Sequence, residues 1–212
     1  MPRLQVSDRP DYWVRACREL AKADPPMGRL IRAYPGIALQ TRGQPFVTLV
    51  RSIVGQQISV KAADAVWTRF NTAVHEIEPR VILATQDEIL RAVGLSGRKV
   101  EYVRHLAERF LSGHIRPDRW PAMSDEAITE ELVATRGIGV WTAEMLLIFN
   151  LMRPNVFPLD DIGLQKAVAL HFLEGERPGR AVLRALGERW RPWRSVATWY
   201  LWRSLDPVPV EY

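Results

Sequence analysis

Apolar residues recur along this chain at helical rather than strand spacing. Trp13, Ala16, Cys17 and Leu20 fall at i, i+3, i+4 and i+7 and predict a helix over Tyr12–Ala23. Pro25, Pro26 and Gly28 are read as its breakers, and Gly36–Gly43 as a loop around a short apolar piece. Phe46–Val54 predicts an apolar helix stopped near Gly55, and Ser59 an N-cap for a helix reaching Ala73. Asp87–Val93 and Lys99–Phe110 follow on either side of Gly94 to Gly97. Asp125–Thr135 carries acids in its first turn, where the helix dipole favours them. Val140–Leu151 is strongly apolar, and Pro154 and Pro158 stiffen the connector Arg153–Pro158, read as a hinge. Asp161–Phe172, Gly179–Trp190 and Trp193–Leu205 complete the series. About ten short helices with tight loops, and no alternating strand, predict an all-α fold.

Composition narrows the class. A chain of 212 residues suits one large domain or two small ones, and 47% hydrophobic residues exclude wholesale disorder. The single cysteine, Cys17, excludes an internal disulfide framework and any four-cysteine zinc or iron–sulfur site. The apolar run Met145–Met152 is broken by Asn150 and too short to span a bilayer, and Met1–Pro10 leads into no signal-type core. A soluble cytoplasmic protein is expected. The net charge of +5 points only faintly to nucleic acid, although the basic residues are 25 Arg against 4 Lys. His75, His105, His114 and His171 lack metal-ligand spacing and read as structural.

Two segments carry chemistry. In Leu132–Ala143 one helix ends, Gly137 and Gly139 flank Ile138, and a second helix begins with Val140, Trp141 and Thr142. Glycines there permit positive φ and close backbone approach, and the free N–H groups of the second helix suit a phosphate. A tight turn between core helices is the plainer alternative. About twenty residues on, Asp160 and Asp161 stand in tandem before a helix. One Asp is explained by capping; a pair less readily.

Together these segments resemble the helix-hairpin-helix (HhH-GPD) DNA glycosylase superfamily, most closely its bacterial 3-methyladenine DNA glycosylase II branch. The resemblance runs from about Phe46 to Trp202 and includes Ile53–Ser59 and Arg189–Ser195. It implies a compact member, without the extra N-terminal domain of larger relatives. It makes Asp161 the catalytic carboxylate and leaves Asp160 as a cap or structural partner. It places Gly137, Ile138, Gly139 and Thr142 at a DNA phosphate. The minor-groove wedge falls on Gln57, with Gln56 as neighbouring candidate, unless both glutamines face solvent. Trp141, Met145, Ile162 and Trp202 would form the base pocket, while Trp190, Trp193 and Trp199 read as core. Lytic relatives carry a lysine where this chain has Trp141, so a monofunctional enzyme is implied. Arg98 and Lys99 read equally as phosphate contacts or solvated surface, and Lys166 as surface.

The resulting expectation is an all-α fold of two helical lobes. Residues 44–153 would hold the hairpin, residues 1–43 with 154–212 the catalytic Asp, and the active site would lie in the cleft between. The expected activity is excision of alkylated bases, 3-methyladenine and with it 7-methylguanine, from damaged double-stranded DNA by a nucleoid-associated monomer. No cofactor or iron–sulfur cluster is expected. A structural Na⁺ or K⁺ on the carbonyls of Val133, Thr135 and Gly137 is a further expectation from the resemblance. A non-catalytic helix-hairpin-helix DNA binder, or a glycosylase for oxidised or mismatched bases, stays open as an alternative.

Overall fold

A computed structural model describes residues 9–41 and 43–205. The ends of the predicted second lobe, 1–8 and 206–212, and Arg42 lie outside the described residues. Among the described residues there are twelve α-helices and no strand. In chain order they are α1 (Trp13–Ala23), α2 (Pro25–Ala33), α3 (Pro45–Gly55), α4 (Val60–Val74), α5 (Pro79–Ala84) and α6 (Asp87–Ala92). Then come α7 (Gly97–Leu111), α8 (Asp125–Val133), α9 (Val140–Phe149), α10 (Ile162–Phe172), α11 (Arg180–Arg189) and α12 (Arg194–Leu205). None is long and apolar enough to cross a membrane.

Two of these helices escape the apolar periodicity. Pro25 and Pro26 do not break a helix; they open α2, because proline presets φ and lacks only an N–H that the first turn leaves unpaired anyway. Asp24 caps that turn, accepting from Met27 N at 3.2 Å. Helix α5 begins at Pro79 in the same way and has only six residues, too few to display a 3.6-residue repeat.

The chain divides into two compact units. One gathers the described residues of Met1–Thr41 and Leu147–Glu211; the other gathers those of Arg42–Leu146, so the division falls inside α9.

In the first unit α12 packs on α1, α2 and α10. Its core is aromatic: Trp190, Trp193 and Trp199 are buried, and Trp13 meets Trp199 edge-on at 5.2 Å. Asp24 is fully buried at its centre. Its carboxylate accepts from Trp190 Nε1 at 3.0 Å and pairs with Arg189 at 3.0 Å, besides capping α2. Asp24→Ala leaves the Trp190 indole and the Met27 N–H without acceptors and the Arg189 guanidinium without its carboxylate. A loss of about 2–3 kcal/mol is expected, read as a lower urea midpoint with an unchanged slope; an unmoved midpoint would show that the carboxylate is dispensable.

The second unit is built on α3 and α7. Phe46, Leu49, Val50, Ile53 and Val54 of α3 are buried, as are Val100, Val103, Leu106 and Ala107 of α7, and Phe46 meets Phe110 edge-on at 5.0 Å. Helices α4, α5 and α6 pack around this pair.

Candidate active site

The first unit holds the tandem carboxylates in two different settings. Asp161 is the N-cap of α10, and its backbone leaves the helical region at φ −71°, ψ 121°. Its Oδ1 accepts from Leu164 N at 2.6 Å and from Trp202 Nε1 at 2.7 Å. The approach loop is closed by Asp161 N to Pro158 O at 3.0 Å and by Gln165 Nε2 to Leu159 O at 3.0 Å. Asp160 is exposed and ion-paired with Arg180. The capping role therefore belongs to Asp161, against the sequence expectation, which gave it to Asp160 as one option. One short helix start needs one cap, and the second carboxylate turns outward to a guanidinium.

Trp202 is half-buried on α12 and stacks on Phe149, with ring centroids 5.6 Å apart and planes 15° from parallel. That stack fixes the indole plane whose N–H meets Asp161. Ile162, next to the carboxylate, is 67% exposed.

The second unit holds the hairpin between α8 and α9. Gly137 adopts φ +83°, and a Cβ there would lie 2.4 Å from Tyr102 Cδ2, so both backbone and space demand glycine. Gly139 differs: its φ is not positive and nothing lies within 4 Å of a built Cβ, which leaves its backbone open to a ligand. Ile138 is buried as a plug. Arg136 N donates to His105 Nδ1 at 3.0 Å, and Ile138 N to Thr135 O at 3.0 Å. Tyr102 and His105, three residues apart on α7, thus floor the turn. Sequence reading missed both as site residues, although their i, i+3 spacing puts them on one helix face.

Residues at the start of α9 divide by burial. Trp141 is 37% exposed, whereas Met145 and Thr142 are buried. Thr142 is largely covered as a residue, and its backbone N–H lies in the first turn of α9, where N–H groups suit a phosphate.

The loop after α3 separates the two glutamines. Gln56 Nε2 donates to Gly137 O at 2.7 Å, which ties this loop to the hairpin. Gln57 is exposed and sits at φ +59°, a left-handed conformation that non-glycine residues seldom take. Gln56, committed to a carbonyl, does not fit the wedge; Gln57 does. The same hydrogen bond puts a positively polarised N–H against the Gly137 carbonyl, where the sequence expectation set a cation. Thr135 O accepts from Ile138 N at 3.0 Å, so the Gly137 and Thr135 carbonyls each take one N–H and keep a second lone pair.

Lys99 lies nearby and is likewise spent within the fold. Its Nζ donates to Val54 O at 2.8 Å, at the C-terminal end of α3, and burial pushes its ammonium below the usual range. Among the described residues no group of His, Cys, Asp or Glu could hold a metal ion.

An unobstructed Gly139 backbone in a Gly-Ile-Gly hairpin and a capped, indole-bound aspartate are the two features that a relative must share. Residues 50–192 match the HhH-GPD superfamily of base excision DNA repair proteins, and the chain belongs to that family. It is 35% identical over 182 residues to DNA-3-methyladenine glycosylase 1 of Schizosaccharomyces pombe, covering 83% of this chain and 79% of that one. At 36% and 28% identity it also spans 66% of the length of each of two Bacillus subtilis relatives. Among solved structures, DNA-3-methyladenine glycosidase from Bacillus halodurans superposes with a TM-score of 0.81 at 36% identity, over 89% of this chain and 87% of that one. The Schizosaccharomyces pombe 3-methyladenine DNA glycosylase in complex with abasic DNA does so with a TM-score of 0.79 at 30% identity, over 93% and 99%.

Proposed function

We propose that the protein is a monofunctional DNA glycosylase that excises alkylated bases, 3-methyladenine and with it 7-methylguanine, from duplex DNA in base excision repair. The observation that carries this reading is the Asp161 carboxylate, held by two N–H groups at a helix start in a chain of the base excision family. Relatives named for 3-methyladenine, one of them solved with abasic DNA, support the substrate class.

The chemistry follows from charge. An alkylated purine is already cationic. When the bond from C1′ to the base breaks, its electron pair goes to the base, which leaves neutral, and positive charge moves to the sugar. An ionised Asp161 stabilises that charge. Water then adds through oxygen to C1′, and the proton it loses has the same carboxylate as acceptor. The products are a free base and an abasic site. The backbone at Gly139 and the first-turn N–H groups of α9 would hold a phosphate. Gln57 would fill the gap left by the flipped base. Exposed Trp141 and half-buried Trp202 each present an indole, a ring that favours a cationic base over a neutral one. With Trp141 where lytic relatives carry lysine, no amine is offered for a Schiff base and the strand stays uncut. We place the enzyme in the cytoplasm, acting as a monomer on nucleoid DNA.

The test is incubation with a duplex methylated by an alkylating agent, with released bases separated by chromatography. Free 3-methyladenine and a backbone that breaks only after alkali are expected. Binding without release would favour a non-catalytic DNA binder, and breakage without alkali would overturn the monofunctional reading. Gln57→Ala should slow excision from duplex about tenfold by forfeiting part of the few kcal/mol that flipping requires, with release from single strands unaltered. Equal slowing on both substrates would remove Gln57 from the wedge.

A further inference from the structure

Gly163 is the second residue of α10, in ordinary helical backbone rather than at positive φ. Nothing in the backbone asks for glycine there, and glycine is the poorest helix former after proline. The surrounding atoms supply a reason. A Cβ on Gly163 would lie 3.1 Å from Asp161 Oδ1, 3.2 Å from Trp202 Cδ1 and 3.3 Å from Trp202 Nε1. These are the acceptor, the donor and the donor's ring neighbour of one hydrogen bond, the 2.7 Å contact from Trp202 to Asp161. Neither partner can easily retreat. Asp161 Oδ1 is also tied to Leu164 N at 2.6 Å, and the Trp202 ring is stacked on Phe149. An added methyl group would press into the hydrogen bond itself.

We propose that Gly163 is a positioning residue: the missing side chain leaves the space in which Trp202 N–H closes on Asp161 Oδ1, and that bond sets the aim of the carboxylate. Trp202 then serves as more than a stacking ring, since its N–H is the hand that holds the aspartate. The proposal rests on Asp161 being the reactive carboxylate.

Gly163→Ala, Trp202→Phe, the double variant and Asp161→Asn are compared with wild type. The readouts are thermal unfolding, affinity for a duplex carrying an abasic-site analogue, and single-turnover release of 3-methyladenine. Gly163→Ala should still fold cooperatively and unfold within a few degrees of wild type, because the gain in helix propensity offsets part of the strain at the hydrogen bond. Its affinity should be unchanged and its single-turnover rate lower by about tenfold, the scale on which sub-ångström misplacement acts. Trp202→Phe keeps a ring on Phe149 and removes the N–H, and should slow release to a similar degree. Because both changes act through one hydrogen bond, the double variant should be no slower than the slower single variant.

A wild-type rate in Gly163→Ala with Asp161→Asn inactive would overturn the proposal and leave the assignment of Asp161 standing. So would multiplying effects in the double variant, or a rate loss in Gly163→Ala that is matched by an equal loss of affinity for the abasic-site duplex. Full activity in Asp161→Asn would remove the assignment of Asp161 and the proposal together.

Discussion

Asp161→Asn is expected to lower single-turnover release of 3-methyladenine by about a thousandfold, within the range that charge stabilisation and proton transfer supply together. The substitution isolates charge from structure. Asparagine caps helices as well as aspartate does, and its Oδ1 can still accept from Leu164 N and Trp202 Nε1, as the native side chain does. Unfolding temperature and affinity for duplex DNA should therefore stay near wild type while the rate collapses. Asp160→Asn is the internal control. That carboxylate is exposed and meets only an exposed guanidinium, so its loss should shift rate and stability little. Equal rates for wild type and Asp161→Asn would leave the chemistry to some other group. Equal losses from the two carboxylates would deny the division of roles seen at the start of α10.

The largest effect on stability is expected at the hairpin. Gly137→Ala must place an L side chain at φ +83°, and its Cβ would fall 2.4 Å from Tyr102 Cδ2, 2.5 Å from Tyr102 Cγ and 2.9 Å from Tyr102 Cβ. The left-handed conformation costs about 1–2 kcal/mol, and forcing the ring aside adds about 1–3 kcal/mol. A total near 3–4 kcal/mol is a large part of the roughly 5–15 kcal/mol that stabilises an ordinary domain. Denaturant titration should show it as a lower midpoint. Tyr102→Ala in the Gly137→Ala background should recover part of the loss, because it removes the ring and leaves the backbone strain. A midpoint equal to wild type would mean that the turn has room the structure does not show.

How far the sequence alone reaches can be read from particular residues. Helix positions were legible wherever an apolar stripe ran three turns, as in α1, α3 and α7. Pro25 and Pro79 were not, because proline opens a helix as readily as it ends one, and only tertiary packing decides. The all-α class followed from the helical periodicity, and the family from the hairpin and the tandem carboxylates. Which glutamine faces outward did not. The Gln56 to Gly137 hydrogen bond joins residues 81 positions apart, and the Trp202 to Asp161 bond joins residues 41 apart. Periodicity and local spacing carry no information at that range. Nothing in the local sequence asks for glycine at Gly163; the atoms a methyl group would meet there belong to Asp161 and to Trp202 on another helix.

The tie between Gln56 and Gly137 has a bearing on how damage is measured along DNA. It fastens the loop that bears Gln57 to the turn whose backbone is open to phosphate, and both belong to one unit. On the roles proposed for Gln57 and the hairpin, the span from held phosphate to intruding amide would be a fixed length of the molecule. The nucleotide under test would then lie a set number of steps from that phosphate, whatever the sequence.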